Sequence, residues 1–357
     1  MEAGEMTQEF MVPSNENFAC IVFSEFQIPG RRFPADFLSS PVLIGRNFWI
    51  SKRPPFTIDQ EWKRWMGEIF SNRIENGIGS IVLTAFAENP FETSEILLNR
   101  IKLVLWGFAI VIGIPTFMSA DTLHGRIQEN TSVQTNIRFG FGLTHLYPTP
   151  QPLPPPGGGI LPTEFTQNEL HQAIQFATYM ECIEQRIEQE RTNSSIPINQ
   201  SITTLFVRPT GGFLALQSGM FSSFLPERLH QFARAIESFV PARVRGKTDF
   251  AGYLKDLLVP DANNEKTLLQ IYDLRSAQEH IRPFDQRALR GETDPDSVAL
   301  QRTRQAEGFA REMFKRFFSG TVDYLSHFRD ERALESFWSS GDVISAWGSP
   351  FDLQGIL

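Results

Sequence analysis

The sequence predicts an α+β protein built in two parts, a small N-terminal α+β domain followed by a C-terminal all-α helical bundle. Three observations predict it. Strand-like apolar runs concentrate in the first 146 residues. A proline- and glycine-rich segment, YPTPQPLPPPGGGILP, occupies Tyr147 to Pro162. Beyond it, apolar residues recur at the three- and four-residue spacing of amphipathic helices. With 357 residues the chain has room for two domains. The reading divides it into a loose polar tail (1–15), an α+β domain (16–146), a linker (147–162), a helical domain (163–340) and a mixed C-terminal tail (341–357).

The first part reads as strand, helix and strand. FACIVFSEF from Phe18 and PVLIGRNFWI from Pro41 are strand-like, punctuated by Gly30, Pro34 and the Pro54–Pro55 pair. Asp59 to Arg73 has Trp62, Trp65, Met66, Ile69 and Phe70 on one helical side, with Thr57 or Asp59 as N-cap. Ser80 to Ala87 is a strong strand, and Thr93 opens an apolar helix through Ile96, Leu97, Ile101, Leu105 and Phe108. Leu103 to Ala120 carries no charge, but Gly107, Gly113 and Pro115 interrupt it and Arg100, Lys102 and Asp121 flank it. A buried helix followed by a buried strand or loop explains this stretch better than a membrane span. Val133 to Phe141 alternates like another strand, and His124 and His145 stand alone as surface or loop histidines.

The proline-rich segment combines a stiff extended spacer with a flexible glycine triplet. A long helix over about Glu164 to Arg191 follows it. Thr203 to Val207 and Gly211 to Leu216 read as a short hairpin or extended loop. Pro226 then opens a helix at a first-turn position that suits proline. Its core face is Leu229, Phe232, Ala233, Ile236 and Phe239, and His230, Arg234 and Glu237 share a polar stripe. That stripe lines a site or is a solvated face. A short helix over about Asp249 to Leu258 comes next, and a long one over about Ser297 to Phe318 packs through Phe309, Ala310, Met313 and Phe317. On the latter, Arg304, Arg311 and Lys315 fall on one side, suited either to a phosphate backbone or to solvent. A final helix covers about Arg332 to Trp338.

Composition narrows the function classes. A net charge of −8 argues against nucleic-acid affinity from bulk charge and leaves local patches as the route to it. Two cysteines, Cys20 and Cys182, imply neither a disulfide framework nor a cysteine metal site, and no metal-ligand spacing or phosphate-binding glycine loop stands out. MEAGEMTQEF has no apolar signal core, so a cytoplasmic setting without membrane association is expected.

The candidate chemistry lies in Lys266 to Pro283, KTLLQIYDLRSAQEHIRP. Leu268, Leu269, Ile271, Tyr272 and Leu274 form a broad apolar arc, and Arg275 falls inside it. An always-charged guanidinium thus sits where periodicity predicts core or interface. Glu279 is one turn beyond Arg275, and His280 one turn beyond Ser276. Pro283 ends the helix at or before Arg282, which places His280 in the last turn, where the helix dipole favours a protonated imidazole. Two readings follow. Arg275 clamps an anion while His280 serves as acid or base, or Arg275 and Glu279 form an internal ion pair.

Arg275-Ser-Ala-Gln-Glu-His280 resembles the R-x4-6-H motif of HEPN domains. The order of LHQFARAIE before it and RQAEGFAREMFKRFF after it is similar to that in bacterial proteins with a C-terminal ApeA-like HEPN domain. The resemblance covers residues 163 to 340. It implies a metal-independent endoribonuclease without cofactors, acting on RNA as a homodimer in phage defence or stress response, behind a sensing or regulatory N-terminal domain. Arg275 is then the phosphate ligand and His280 the acid or base, with Tyr272, Asp273, Ser276 and Glu279 in support. Ser276 stands where the family often has Asn, His or Asp, and Ile281 where a small residue is common. The resemblance also admits a non-catalytic dimerisation or RNA-binding scaffold. A small-ligand sensor working through the N-terminal domain is the third expectation.

Overall fold

The structure is a computed structural model that describes residues 17–27, 41–44, 48–53, 57–58, 60, 63–64, 67–68, 71–72, 81–87, 93, 96–97, 110, 116–127, 132–134, 172, 175–176 and 208–356 without 242–245, 280–288, 319–323 and 341–342. The chain divides into two compact units. One comprises Met1–Ala109, Pro115–Thr149 and Pro162–Thr178, the other Ile110–Ile114, Pro150–Leu161 and Tyr179–Leu357. The first carries the β-sheet and the second the helices from Arg208 onward, so the chain is α+β with a helical C-terminal region.

The sheet is built on β1 (Asn17–Gln27). The other strands are β2 (Val42–Ile44), β3 (Phe48–Ser51), β4 (Thr57–Ile58), β5 (Ile81–Phe86), β6 (Thr116–Ile127) and β7 (Ser132–Gln134), in the order β2-β3-β5-β1-β6-β7-β4. β1 pairs antiparallel with both β5 and β6, setting Cys20 opposite Thr84 on one side and Leu123 on the other. The short β4–β7 pair is parallel. Phe18, Ala19 and Cys20 are consecutive and all fully buried, so both faces of β1 are covered here. That is the packing a continuous apolar run requires. Burial pushes the Cys20 thiol up to about 12, and the Thr84 hydroxyl beside it partly opposes the shift.

Several sequence expectations need correction in this unit. The run from Pro41 is two strands, β2 and β3, paired antiparallel. β6 extends seven residues past Ala120 to Ile127, and His124 lies within it, in register with Ala19, rather than in a loop. Gly67, at φ +81°, interrupts the helix expected over Asp59 to Arg73. Of the strand expected over Val133 to Phe141, only the start falls within the described residues. The tail at 1–15, the linker at 147–162, His145, and most of the helix expected over Glu164 to Arg191 lie outside them.

The helical unit contains α1 (Arg208–Phe221), α2 (Leu225–Glu237), α3 (Lys247–Leu254) with a 3-10 turn at Lys255–Leu257, α4 (Ala262–Glu279), α5 (Pro295–Phe317), α6 (Tyr324–His327), α7 (Glu331–Ser339) and α8 (Val343–Trp347). α2 is the central helix and packs on α1, α4 and α5. Its expected core face, from Leu229 to Phe239, is buried throughout. Phe239 meets Phe314, Phe317 and Trp347 at ring-centroid distances of 4.7, 5.4 and 5.4 Å. Asp294 caps α5 by accepting from the Ser297 amide, and Asp330 caps α7 through the Ala333 amide.

The short hairpin or extended loop expected at Gly211 to Leu216 is instead part of α1. Its glycines lower helix propensity, but they are the contact surface for α2. A Cβ added at Gly219 would lie 2.6 Å from the Phe232 ring, and one at Gly212 would collide with Ser238. Close helix packing therefore overrides propensity. The end of the chain, read as a mixed tail, also joins the core. The Phe351 amide donates to the Leu257 carbonyl and the Val259 amide to the Phe351 carbonyl, at 2.7 and 2.8 Å. Phe351 and Leu353 are buried, and the Arg316 guanidinium lies 3.7 Å over the Phe351 ring.

Candidate functional site

The site is assembled where α4 meets α2. Leu268, Ile271 and Leu274 bury one side of α4, and Arg275 follows at the margin of that face. Its side chain is 17% exposed, and each terminal nitrogen meets a carboxylate. Nη2 donates to Glu237 Oε2 on α2 at 2.8 Å, and Nη1 is 3.0 Å from Glu279 Oε2 one turn along α4. The guanidinium carbon lies 5.6 Å from the centre of the Tyr272 ring, which packs on Phe250. Nε is buried without a hydrogen-bond partner. The internal Arg275–Glu279 pair expected from spacing is therefore present, joined by a longer-range pair to Glu237.

The second polar stripe meets the first. His230 and Glu237 on α2 both lie within electrostatic reach of Arg275 and Glu279. The Glu237 carboxyl is raised, chiefly by burial, against the opposing pull of Arg275. The His230 imidazole is lowered, chiefly by burial. Its Nδ1 is sealed from solvent without a hydrogen-bond partner. Arg234, between them in sequence, is exposed. Burial raises the Tyr272 hydroxyl too, partly opposed by Arg275.

The remaining candidates divide. Asp273 pairs with Lys247 on α3, tying α4 to its neighbour. Ser276 is half-buried on α4. His280 lies outside the described residues. On α5, Arg311 Nε donates to the Ile110 carbonyl at 3.0 Å, Lys315 is 3.6 Å from Glu312, and Arg304 is half-buried. That stripe thus has protein partners rather than forming a bare basic face. Among the described residues no group of three or more His, Cys, Asp or Glu side chains is placed to hold a metal ion, and no helix is long and apolar enough to cross a membrane.

Sequence reasoning missed Arg208. Its guanidinium donates to the Glu237, Ser238 and Val240 carbonyls and pairs with Glu331 at 3.2 Å. A cation at the C-terminal end of α2 satisfies carbonyls that the helix leaves open and so fixes the turn that carries Glu237. These partners are about 30 residues or more from Arg208, so local periodicity holds no signal for them.

No family model, curated protein or solved structure matches this chain.

Proposed function

We propose that the helical unit is a HEPN-type, metal-independent endoribonuclease domain acting on RNA as a homodimer, with Arg275 as phosphate ligand and His280 as acid or base. The observation that carries this reading is the meeting of two polar stripes, His230–Arg234–Glu237 and Arg275–Glu279, around a guanidinium that keeps solvent access. The two carboxylates on Arg275 differ in kind. Glu237 is half-buried and anchors the guanidinium from α2, whereas Glu279 is exposed. An exposed pair is held weakly, so a phosphate can replace Glu279 while Glu237 keeps the arginine aimed. In the reaction the ribose 2′-oxygen attacks phosphorus and loses its proton to a base. The bond to the 5′-oxygen breaks and that oxygen is protonated, leaving 2′,3′-cyclic phosphate and 5′-hydroxyl ends. A cationic clamp stabilises the charge on the phosphoryl oxygens, and an imidazole moves protons near neutral pH. A two-fold pair of chains supplies a second motif. The sheet unit takes the sensing or regulatory part, in phage defence or stress response.

The test compares RNA cleavage by the full-length wild type and His280→Ala. A fall of at least about a hundredfold with unchanged folding supports the assignment, and equal rates refute it. The double pairing of Arg275 favours a second reading, a non-catalytic scaffold in which the arginine ties α4 to α2. That reading predicts that Arg275→Ala lowers stability or dimerisation in a protein that cuts no RNA.

A further inference from the structure

We infer that the helical unit contains a groove that binds a peptide of Phe-x-Leu pattern through its backbone, and that residues 349–356 of the chain occupy it as a separable, intramolecular ligand. This site does not rest on the nuclease reading. The turn before α4, the first turns of α4 and the middle of α5 form the groove. Alternate residues of the segment are gripped by both of their backbone groups. The Phe351 amide donates to the Leu257 carbonyl, and the Phe351 carbonyl accepts from the Val259 amide, at 2.7 and 2.8 Å. The Leu353 amide donates to Asn264 Oδ1 on α4 at 3.0 Å, and the Leu353 carbonyl accepts from Gln305 Nε2 on α5 at 2.9 Å. Phe351 and Leu353 are buried, while Asp352 between them is exposed. Phe351 packs edge-on to Phe309 under Arg316, and Ile356 seats on Gly308, where a Cβ would collide with it. Main-chain hydrogen bonds combined with pockets for alternate side chains are how proteins bind peptides by strand addition.

Neighbours outside the segment set the groups that recognise it. Arginine offers only donors, so Arg302 Nη1, 2.7 Å from Gln305 Oε1, turns the NH2 group of that amide toward Leu353. Arg302 is itself buried and is held through Nε to Gln270 Oε1 at 2.7 Å. Asn264 Nδ2 donates to the Val259 carbonyl at 3.2 Å, which leaves its oxygen facing the Leu353 amide. Asn264 and Gln305 are 1% and 0% exposed. The site is thus preorganised for the segment, which lowers the ordering cost of binding. The joint to α8 is equally distinct. Gly348 takes φ +83°, and Gly348, Ser349 and Pro350 are all exposed.

The test severs this joint in the full-length protein. A protease site inserted between Gly348 and Ser349 allows cleavage after folding, which leaves residues 349–357 bound without a covalent link. The probe is a fluorescent peptide of residues 349–357 added to the cut protein. The expected result is saturable exchange of the labelled peptide into a protein whose circular dichroism is unchanged. Phe351→Ala in the peptide should weaken binding at least about a hundredfold. N-methylation of Leu353, which removes the amide donor to Asn264, should weaken it about tenfold. A peptide that never exchanges, a cut protein that unfolds as the segment leaves, or equal affinity for a scrambled peptide overturns the inference. A second measurement uses the unmodified chain. In native-state hydrogen exchange the Val259, Phe351 and Leu353 amides should share one opening of lower free energy than the amides of α5. Exchange of these three only through global unfolding overturns the separable segment.

Discussion

Arg275 makes one ion pair along its own helix and one between helices, and the two have different consequences. The pair to Glu279 involves an exposed carboxylate, so Glu279→Ala should cost less than about 1 kcal/mol. Glu237 is half-buried, and removing its partner leaves a carboxylate poorly solvated. Arg275→Ala should therefore destabilise the helical unit by about 1–3 kcal/mol in urea titrations, and Arg275→Lys should recover only part, because an ammonium cannot hold both carboxylates in a planar fork. His230 yields a pH prediction. Its folded-state affinity for protons lies below the ordinary 6.5, so the unfolded chain binds the proton more readily. Its contribution to stability is complete above that value and falls away as pH drops through the lowered folded value. Between about pH 7.5 and about pH 5.5 the wild type should lose more stability than His230→Gln, and equal losses contradict the burial argument. At this scale the sequence shows Glu279, because i and i+4 share a helix face. It shows neither the Glu237 partner of Arg275, 38 residues away, nor the role of Arg208.

Helix α2 explains which elements were legible. Its apolar face is regular, with a proline in the first turn, and the sequence places it within about two residues. α5 is equally clear, since Phe309, Ala310, Met313 and Phe317 are all buried. α1 is not, because its glycines argue locally for a turn while serving as the bed on which Phe232 and Ser238 of the α2 segment lie. Only the packed structure reveals that second role. Gly219→Ala should therefore destabilise the protein by about 1–3 kcal/mol, despite alanine's better helix propensity. A gain in melting temperature would show that the α1–α2 contact opens easily. β6 was legible only as one of two alternatives. Its strand begins inside an uncharged stretch whose length and glycines read as helix followed by strand or loop.

The whole molecule is α+β, with its strands and its helical C-terminal region in the order the sequence indicates. Its chain end was least legible, because Phe351 and Leu353 carry no periodicity yet complete the helical core. Phe351 stacks edge-on to Phe309 at 4.9 Å and lies under Arg316, so Phe351→Ala should cost about 3–5 kcal/mol, read as a lower denaturation midpoint. The candidate site was half legible. Both polar stripes stood out in the sequence, whereas their meeting, and the half-buried carboxylate that aims Arg275, belong to the fold. RNA cleavage at this meeting point is what we propose. Its most direct test is end-group analysis of a mixed RNA pool incubated in EDTA with full-length wild type or His280→Ala. The wild type alone should yield fragments with 2′,3′-cyclic phosphate and 5′-hydroxyl ends. No fragments from either protein, fragments with 5′-phosphate ends, or equal cutting by His280→Ala would contradict it.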